Sequence, residues 1–271
     1  VNSHETEVTA VFEDLRGFQR ETGETIAQFS SLVSAQQYRY LYSLVDEHVP
    51  PNARVLDWGC GSGHFSWYLA KRGHDLSAFS FGPAPTLFDR IREVGAGSPG
   101  FFSGSEADPT GLPFADESFD AVFSVGVLEH VRETGGSELG SLREIRRILR
   151  PGGRFLCFHF PNRNSYIEAL ARIVWRRYRD VDVTVRFHKF LYTPDDIERL
   201  CRGAEMQLLG TRRYAILPRN MFGRLPGFPR NSAAAAAVVN RIDAILERAL
   251  PRFTTNNWFV ARKPVAEPSG G

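Results

Sequence analysis

The sequence predicts an α/β fold: a mostly parallel sheet with helices on both faces. Three observations carry this. Between residues 54 and 160, short and almost continuously apolar segments alternate with segments of helical periodicity. The first apolar segment breaks into Gly59-Cys60-Gly61-Ser62-Gly63, a turn that joins a buried strand to a helix. The 271 residues are 42% hydrophobic and 24% charged, a balance that excludes collagen-like, coiled-coil and extensively disordered chains.

The elements follow in order. Residues 1–30 are polar and read as a loose or helical lead-in. Residues 31–49 are helical, with Leu41, Leu44, Val45 and His48 at helical spacing and Pro50-Pro51 as the stop. Arg54-Val55-Leu56-Asp57 is a short buried strand, and a helix follows the glycine turn. Asp75–Phe81 is the second strand, stopped by Gly82-Pro83, and a helix runs from Pro85 to Val94. Phe101-Phe102 marks a third strand, and Phe119–Val125 a fourth. Ser141–Leu149 is a helix, Pro151-Gly152-Gly153 a turn, and Arg154–Phe160 a fifth strand.

Beyond 160 the alternation breaks. Tyr166–Arg179 is a helix whose end is crowded by Arg172, Arg176, Arg177 and Arg179, with Trp175 and Tyr178 on its apolar side. Thr193 caps a further helix with Pro194 at its first position and two acids behind it. Gln207–Tyr214 and Asn257–Val260 are late strands. Between them lie the Pro/Gly-rich stretch 217–229 and an alanine-rich helix from Ser232 to Leu250.

Charge is divided unevenly. Residues 1–160 hold 14 Lys/Arg against 21 Asp/Glu, whereas residues 161–271 hold 19 against 10. The second half is therefore expected to face an anionic partner; the competing reading is a solvated arginine face. The chain has no apolar run long enough for a membrane span. Its first residues lack the apolar centre of a secretory leader. Three scattered cysteines fit neither a disulfide framework nor a zinc site. A cytoplasmic setting is the expectation, and no metal site is read from the spacing.

Four segments in order, VLDWGCGSG, GHDLSAFSFGP, ADPTGLPFADESFDAVFSVGVLEHV and ILRPGGRFLCF, resemble the class I S-adenosylmethionine-dependent methyltransferase family, of the methyltransferase-11 or UbiE-like type. They span residues 53–160, over a third of the chain. The resemblance implies a Rossmann-like sheet of seven strands, the last antiparallel, with an acceptor-side helical insertion. It divides the chain into an N-terminal helical lid segment (1–50), a cofactor-binding core (51–160), an insertion with terminal strands completing the same domain (161–263) and a disordered tail (264–271).

The resemblance also implies site residues. Asp57, Gly59, Cys60, Gly61 and Gly63 would hold the methionine part of S-adenosylmethionine. Ser80 and Phe81 would meet the ribose side, and Asp108 and Pro109 the adenine. Ser124 and Val125 would open the loop that borders the transferred methyl. Two positions depart from the family. Ser80 stands where an acid usually grips both ribose hydroxyls, and Pro109 has no N–H to offer the adenine.

Methyl transfer to a hydroxyl asks for help with its proton, and histidine is the natural base near neutrality. His130 is the first candidate and His159 the second, each against a purely structural reading. His188, Tyr38 and Arg219 are candidates for acceptor binding. The expected function is methyl transfer to a small-molecule acceptor: a hydroxyl of a glycan, a lipid-linked intermediate or a secondary metabolite, with contact to an anionic membrane surface as one possibility. Alternatives are a C- or N-methyltransferase on a quinone-like or amine acceptor, a nucleic-acid methyltransferase, and a non-catalytic binding protein. The Asn/Asp-Pro-Pro-aromatic signature of amino methylation is absent after the fourth strand, so no nucleic-acid partner is expected.

Overall fold

The computed structural model describes residues 3–105, 107–174, 188–222 and 226–265. In chain order the elements are α1 (Ser3–Thr22), α2 (Leu32–Ala35), α3 (Arg39–His48), β1 (Arg54–Trp58), α4 (His64–Lys71), β2 (Asp75–Ser80), α5 (Leu87–Val94), β3 (Gly100–Ser103), β4 (Phe119–Val125), α6 (Glu138–Ile148), β5 (Leu149–Pro161), α7 (Tyr166–Val174), α8 (Pro194–Gly203), β6 (Gln207–Tyr214), α9 (Arg219–Phe222), α10 (Ala233–Ala249) and β7 (Asn256–Arg262). Among the described residues no helix is long and apolar enough to cross a membrane. The basic helix end expected at Trp175, Arg176, Arg177, Tyr178 and Arg179 lies outside the described residues, as do residues 223–225 of the Pro/Gly-rich stretch and residues 266–271 of the expected tail.

The chain forms two compact units. The larger runs from Val49 to Arg213 and resumes at Thr255. It carries a seven-stranded sheet in the order β3-β2-β1-β4-β5-β7-β6. The strands from β3 through β5 pair in parallel, and β7 is antiparallel to β5. The expected α/β sheet of seven strands is therefore what forms. Its core holds Leu56, Val122, Ile145, Phe155 and Phe259, all fully buried. This explains the near-continuous apolar runs in the sequence, since strands covered on both faces have no solvent side. Thr193 closes a capping box with Asp196, with Pro194 in the first turn of α8, as the sequence predicts.

Register decides where the site forms. Trp58 at the end of β1 aligns with Phe79 of β2 and with Ser124 of β4. Ser124 in turn aligns with Cys157 of β5. The glycine turn, Ser80, the loop after β4 and His159 thus all leave the sheet at one edge. β1 and β4 are also where the strand order reverses, the crevice in which open α/β sheets take ligands.

The smaller unit joins the chain up to His48 with Tyr214–Thr254, a division that differs from the expected lid segment within one domain. The lead-in is a full helix: Val8, Val11, Phe12, Leu15 and Phe18 of α1 are buried at helical spacing. α1 packs against α2 and α3, and α9 and α10 pack against α2.

Two expected acceptor contacts belong to the interior of this unit. Tyr38 is 1% exposed, its ring 5.3 Å from that of Phe29. Packing takes this aromatic because it falls on the buried face of its turn. Arg219 is 4% exposed. Its Nε and Nη2 donate to Asp243 Oδ2 at 3.0 and 2.8 Å, and its Nη1 to Asn240 Oδ1 at 2.7 Å. Asp243 Oδ1 accepts the N–H groups of Ile216 and Leu217. Arg219 is thus the cation of a buried pair that ties α9 to α10 and fixes the turn before α9. Neither residue is offered to an acceptor.

Candidate active site

The site is built in the larger unit, beginning at the turn after β1. Gly59, Gly61 and Gly63 have φ of 79°, 50° and 81°, values open to glycine and strained for other residues. The backbone N–H groups of Gly59 and Cys60 both donate to Phe79 O, which locks the turn onto β2. At Gly59 a Cβ would lie 2.3 Å from Cγ2 of Val127. The turn therefore lies directly against the loop after β4.

Asp57, the last polar residue before the turn, is 1% exposed. Ser66 on α4 donates to its Oδ2 at 2.6 Å. Burial pushes the Asp57 carboxyl up to about 6, against the pull of the Ser66 hydroxyl and backbone N–H. A buried carboxylate in this position is an energetic cost that a cationic ligand relieves. His64, at the start of α4, is held down to about 4 by burial, so it is a neutral ring at physiological pH.

A cavity of ≈ 200 Å³ opens beside the turn. Trp58, Phe79, Phe81 and Pro109 give it flat apolar walls, Ser80 a hydroxyl, and Gly59, Val127 and His130 the side toward β4. Of the expected cofactor contacts, Gly59, Ser80, Phe81 and Pro109 line this space. Cys60 is a buried thiol whose ionisation burial suppresses. Asp108 is exposed, with Oδ1 accepting the Gly111 N–H at 3.0 Å. Ser124 is fully enclosed and its hydroxyl accepts the Leu128 N–H at 3.1 Å. That corrects its expected role: the hydroxyl braces the loop instead of facing a ligand. Val125 is half-buried at the strand end.

The loop itself is a short piece of engineering by hydrogen bonds. Gly126, at φ 72°, turns the chain, and its N–H donates to Phe158 O. The single helical turn Leu128–His130 follows, closed by His130 N–H to Val127 O. This delivers the His130 ring to the cavity, with Nδ1 3.2 Å from Glu133 Oε2. Glu129, the residue before it, is 2% exposed; burial pushes its carboxyl up to about 7.

His188 reaches the same place from the insertion. Tyr192 N–H donates to Pro161 O and Arg163 N–H to Tyr192 O, and the Tyr192 ring stacks on Phe160 at 4.0 Å. These bonds fasten the segment before α8 to the end of β5. The His188 ring then stacks 5.7 Å from that of His130, with Nδ1 3.0 Å from Glu168 Oε1. Burial disfavours its protonation, but Glu168 and Glu129 outweigh burial and raise its pKa.

His159 sits at a register shift of β5 with φ 67°, a backbone strain typical of functional edges. Burial, with His64 and His188 nearby, drives it down to about 3. That weighs against His159 as the base, since a ring so reluctant to take a proton is a poor acceptor near neutrality. Of the acids grouped around the two histidines, Glu129 is one the sequence offers as a possible partner of a histidine or as a solvent-facing charge; Glu133 and Glu168 were not read from it, where they look like ordinary helix and turn charges.

A second cavity, ≈ 530 Å³, is bounded by Arg132, Arg163, Lys189 and Arg199, with Phe190 and Tyr192. Among the described residues Asp196 is the only acid in its wall; it pairs with Arg199 and, at 3.8 Å, with Arg163.

Comparison with known proteins agrees with this geometry. A family model described as a methyltransferase domain matches residues 56–157, from β1 through β5. The malonyl-[acyl-carrier protein] O-methyltransferase of Methylococcus capsulatus is 29% identical over 234 residues, 73% of this chain and 80% of that protein. The ubiquinone biosynthesis O-methyltransferase of Cereibacter sphaeroides is 31% identical over 153 residues, 56% of this chain and 59% of that one. The solved structure of the [4+2]-cyclase SpnF superimposes with a TM-score of 0.54 at 19% identity, over 85% of this chain and 83% of that chain. That last likeness shows the fold alone.

Proposed function

We infer that this chain, which belongs to the class I S-adenosylmethionine-dependent methyltransferase family, methylates a hydroxyl of a small acceptor that carries a carboxylate or phosphate. The observation behind the reading is that His130 stands in the wall of the cofactor cavity while Arg132, two residues on, stands in the wall of the larger basic cavity.

The residues present fit the cofactor. Asp57 offers a buried carboxylate to the ammonium group, the glycine turn admits close approach of the methionine part, and the aromatic walls suit the adenine ring. Ser80 offers one hydroxyl to the ribose. S-Adenosylmethionine supplies a methyl group on a cationic sulfur, already activated as a leaving group. What remains for the chain is alignment and proton removal.

We assign the acceptor's hydroxyl to His130; that its ring lines the cavity on the side of the β4 loop supports this. The basic cavity supplies alignment. Lys189, Arg163 and Arg199 would hold an anionic group, in keeping with the excess of cations in the second half of the sequence. Arg219, expected to help, is committed to Asp243.

The test is methyl transfer from S-[methyl-³H]adenosylmethionine to a panel of hydroxy acids, phosphorylated alcohols and their neutral esters. Labelling of anionic hydroxy compounds and not of the esters supports the reading. Transfer that favours neutral acceptors, or amines over alcohols, overturns it.

A further inference from the structure

We propose that Glu129, His130 and His188 form a binding site for a first-row divalent transition-metal ion at the acceptor side of the cofactor cavity.

Three observations carry the site. One ligand atom from each of the three residues lies within 4.8 Å of the others. Ligands about 2.1 Å from a shared ion stand roughly 3–4 Å apart, so a contraction of about an ångström closes the site. Second, one nitrogen of each histidine is already engaged by a carboxylate, as is common in metal-ligating histidines. Nδ1 of His130 is held by Glu133 at 3.2 Å, and Nδ1 of His188 by Glu168 at 3.0 Å. Each bond leaves Nε2 as the free donor, the carboxylate–histidine arrangement that fixes tautomer and ring plane. Third, Glu129 is 2% exposed, and among the described residues its Oε2 has no hydrogen-bond partner. A buried carboxylate oxygen left unpaired is costly; an ion would satisfy it.

The donor set selects the ion. Two imidazoles and one carboxylate suit manganese, iron, cobalt, nickel or zinc better than magnesium or calcium, which prefer all-oxygen shells. Three protein ligands leave positions open for an acceptor. The ion would lower the pKa of a hydroxyl bound there, so that its proton would pass more readily to water. Its oxygen lone pair would then form the new C–O bond as the sulfur took the electrons of the breaking S–CH₃ bond. This role rests on the hydroxyl-methylation reading above, with His130 then holding the ion and water, in place of the His130 ring, taking the proton; the ion site itself does not rest on it.

His4, Glu7 and Asp46 form the other group that approaches ligand geometry among the described residues. His4 already lies 3.0 Å from Asp46 there, and no unpaired buried oxygen accompanies it.

The test uses the full chain, stripped with chelator and titrated with Co²⁺ while its visible absorption is followed. The expected result is one equivalent bound, with ligand-field bands. Affinity should fall at least tenfold in His188→Asn and in Glu129→Gln, but not in His4→Ala. Circular dichroism and S-adenosylmethionine titration of each variant report whether the fold and the cofactor site survive. Absence of Co²⁺ uptake by the folded parent overturns the proposal. So does uptake unchanged by both site substitutions. A parent that binds Co²⁺ but methylates as fast without metal keeps the site and loses its assigned role. A parent that binds Co²⁺ but no S-adenosylmethionine counts against the methyltransferase reading alone.

Discussion

A Cβ added to Gly59 would stand 2.3 Å from Cγ2 of Val127. The strand-to-helix turn and the loop after β4 are thus fitted to each other at backbone distance. Gly59→Ala is expected to fail twice, by this collision and by the φ of 79°, which costs a non-glycine residue about 1–2 kcal/mol. Cofactor affinity should fall at least tenfold. Adding Val127→Ala relieves the collision but not the dihedral, so the double variant should recover only part of the loss. Calorimetric titration of both variants checks this; full recovery would locate the whole effect in Val127.

Asp57 gives the cofactor site a pH dependence. Its carboxyl is pushed up to about 6 by burial, so it gains a proton as the pH falls through 6 and loses its attraction for the cofactor's ammonium. Affinity should weaken between pH 7 and 5 in the parent and stay flat in Asp57→Asn. Ser66→Ala removes the hydroxyl that favours the ionised form, so it should move the midpoint upward.

The same shift has the opposite sign for stability. The folded chain holds the Asp57 proton to a higher pH than the unfolded chain, which releases it near 3.8. Asp57 therefore lowers stability as the pH rises from about 4 to 6, and the penalty is complete above 6. Asp57→Asn should raise the melting temperature of the cofactor-free protein at pH 7.5 and change it little at pH 4. A melting temperature lowered at pH 7.5 would contradict this.

Ser80 faces the cofactor cavity at the position where the family's resemblance leads one to expect an acid. A carboxylate there would add a charge-assisted bond, worth about 1.5–3 kcal/mol. Ser80→Asp should tighten cofactor binding about tenfold or more. Unchanged affinity would mean that the ribose does not lie at Ser80.

The Arg219–Asp243 pair is a structural element, 2.8 Å long and almost wholly buried. Removing one partner strands the other charge, which typically costs about 3–5 kcal/mol. Arg219→Ala should therefore lower the melting temperature by many degrees, and a hydrophobic replacement of both residues should restore much of it. If Arg219→Ala melts with the parent, the pair contributes nothing.

The sheet was legible because its strands are buried on both faces, which writes β1, β2 and β4 into the sequence as apolar runs. The glycine turn was legible because only glycine takes those dihedrals in succession. Thr193 and Pro194 announced α8 through capping chemistry that is local to four residues. α1 was half hidden: its buried stripe of Val8, Val11, Phe12, Leu15 and Phe18 is diluted by acids and threonines. The pairing of residues up to His48 with the segment after Arg213 left no trace, since nothing local couples α2 to α9. Arg219 looked like a surface cation because its partner, Asp243, sits on another helix. The approach of Glu129 and His130 to His188 is likewise a product of the Tyr192–Pro161 bonding, which no spacing rule contains.

Cofactor binding at the glycine turn is tested most directly by calorimetric titration of the full chain with S-adenosylmethionine at pH 7.5, beside Asp57→Asn and Gly59→Ala. One site per chain is expected in the parent, with at least tenfold weaker binding in each variant. No heat of binding to the folded parent at millimolar ligand, or equal binding by all three, would contradict this.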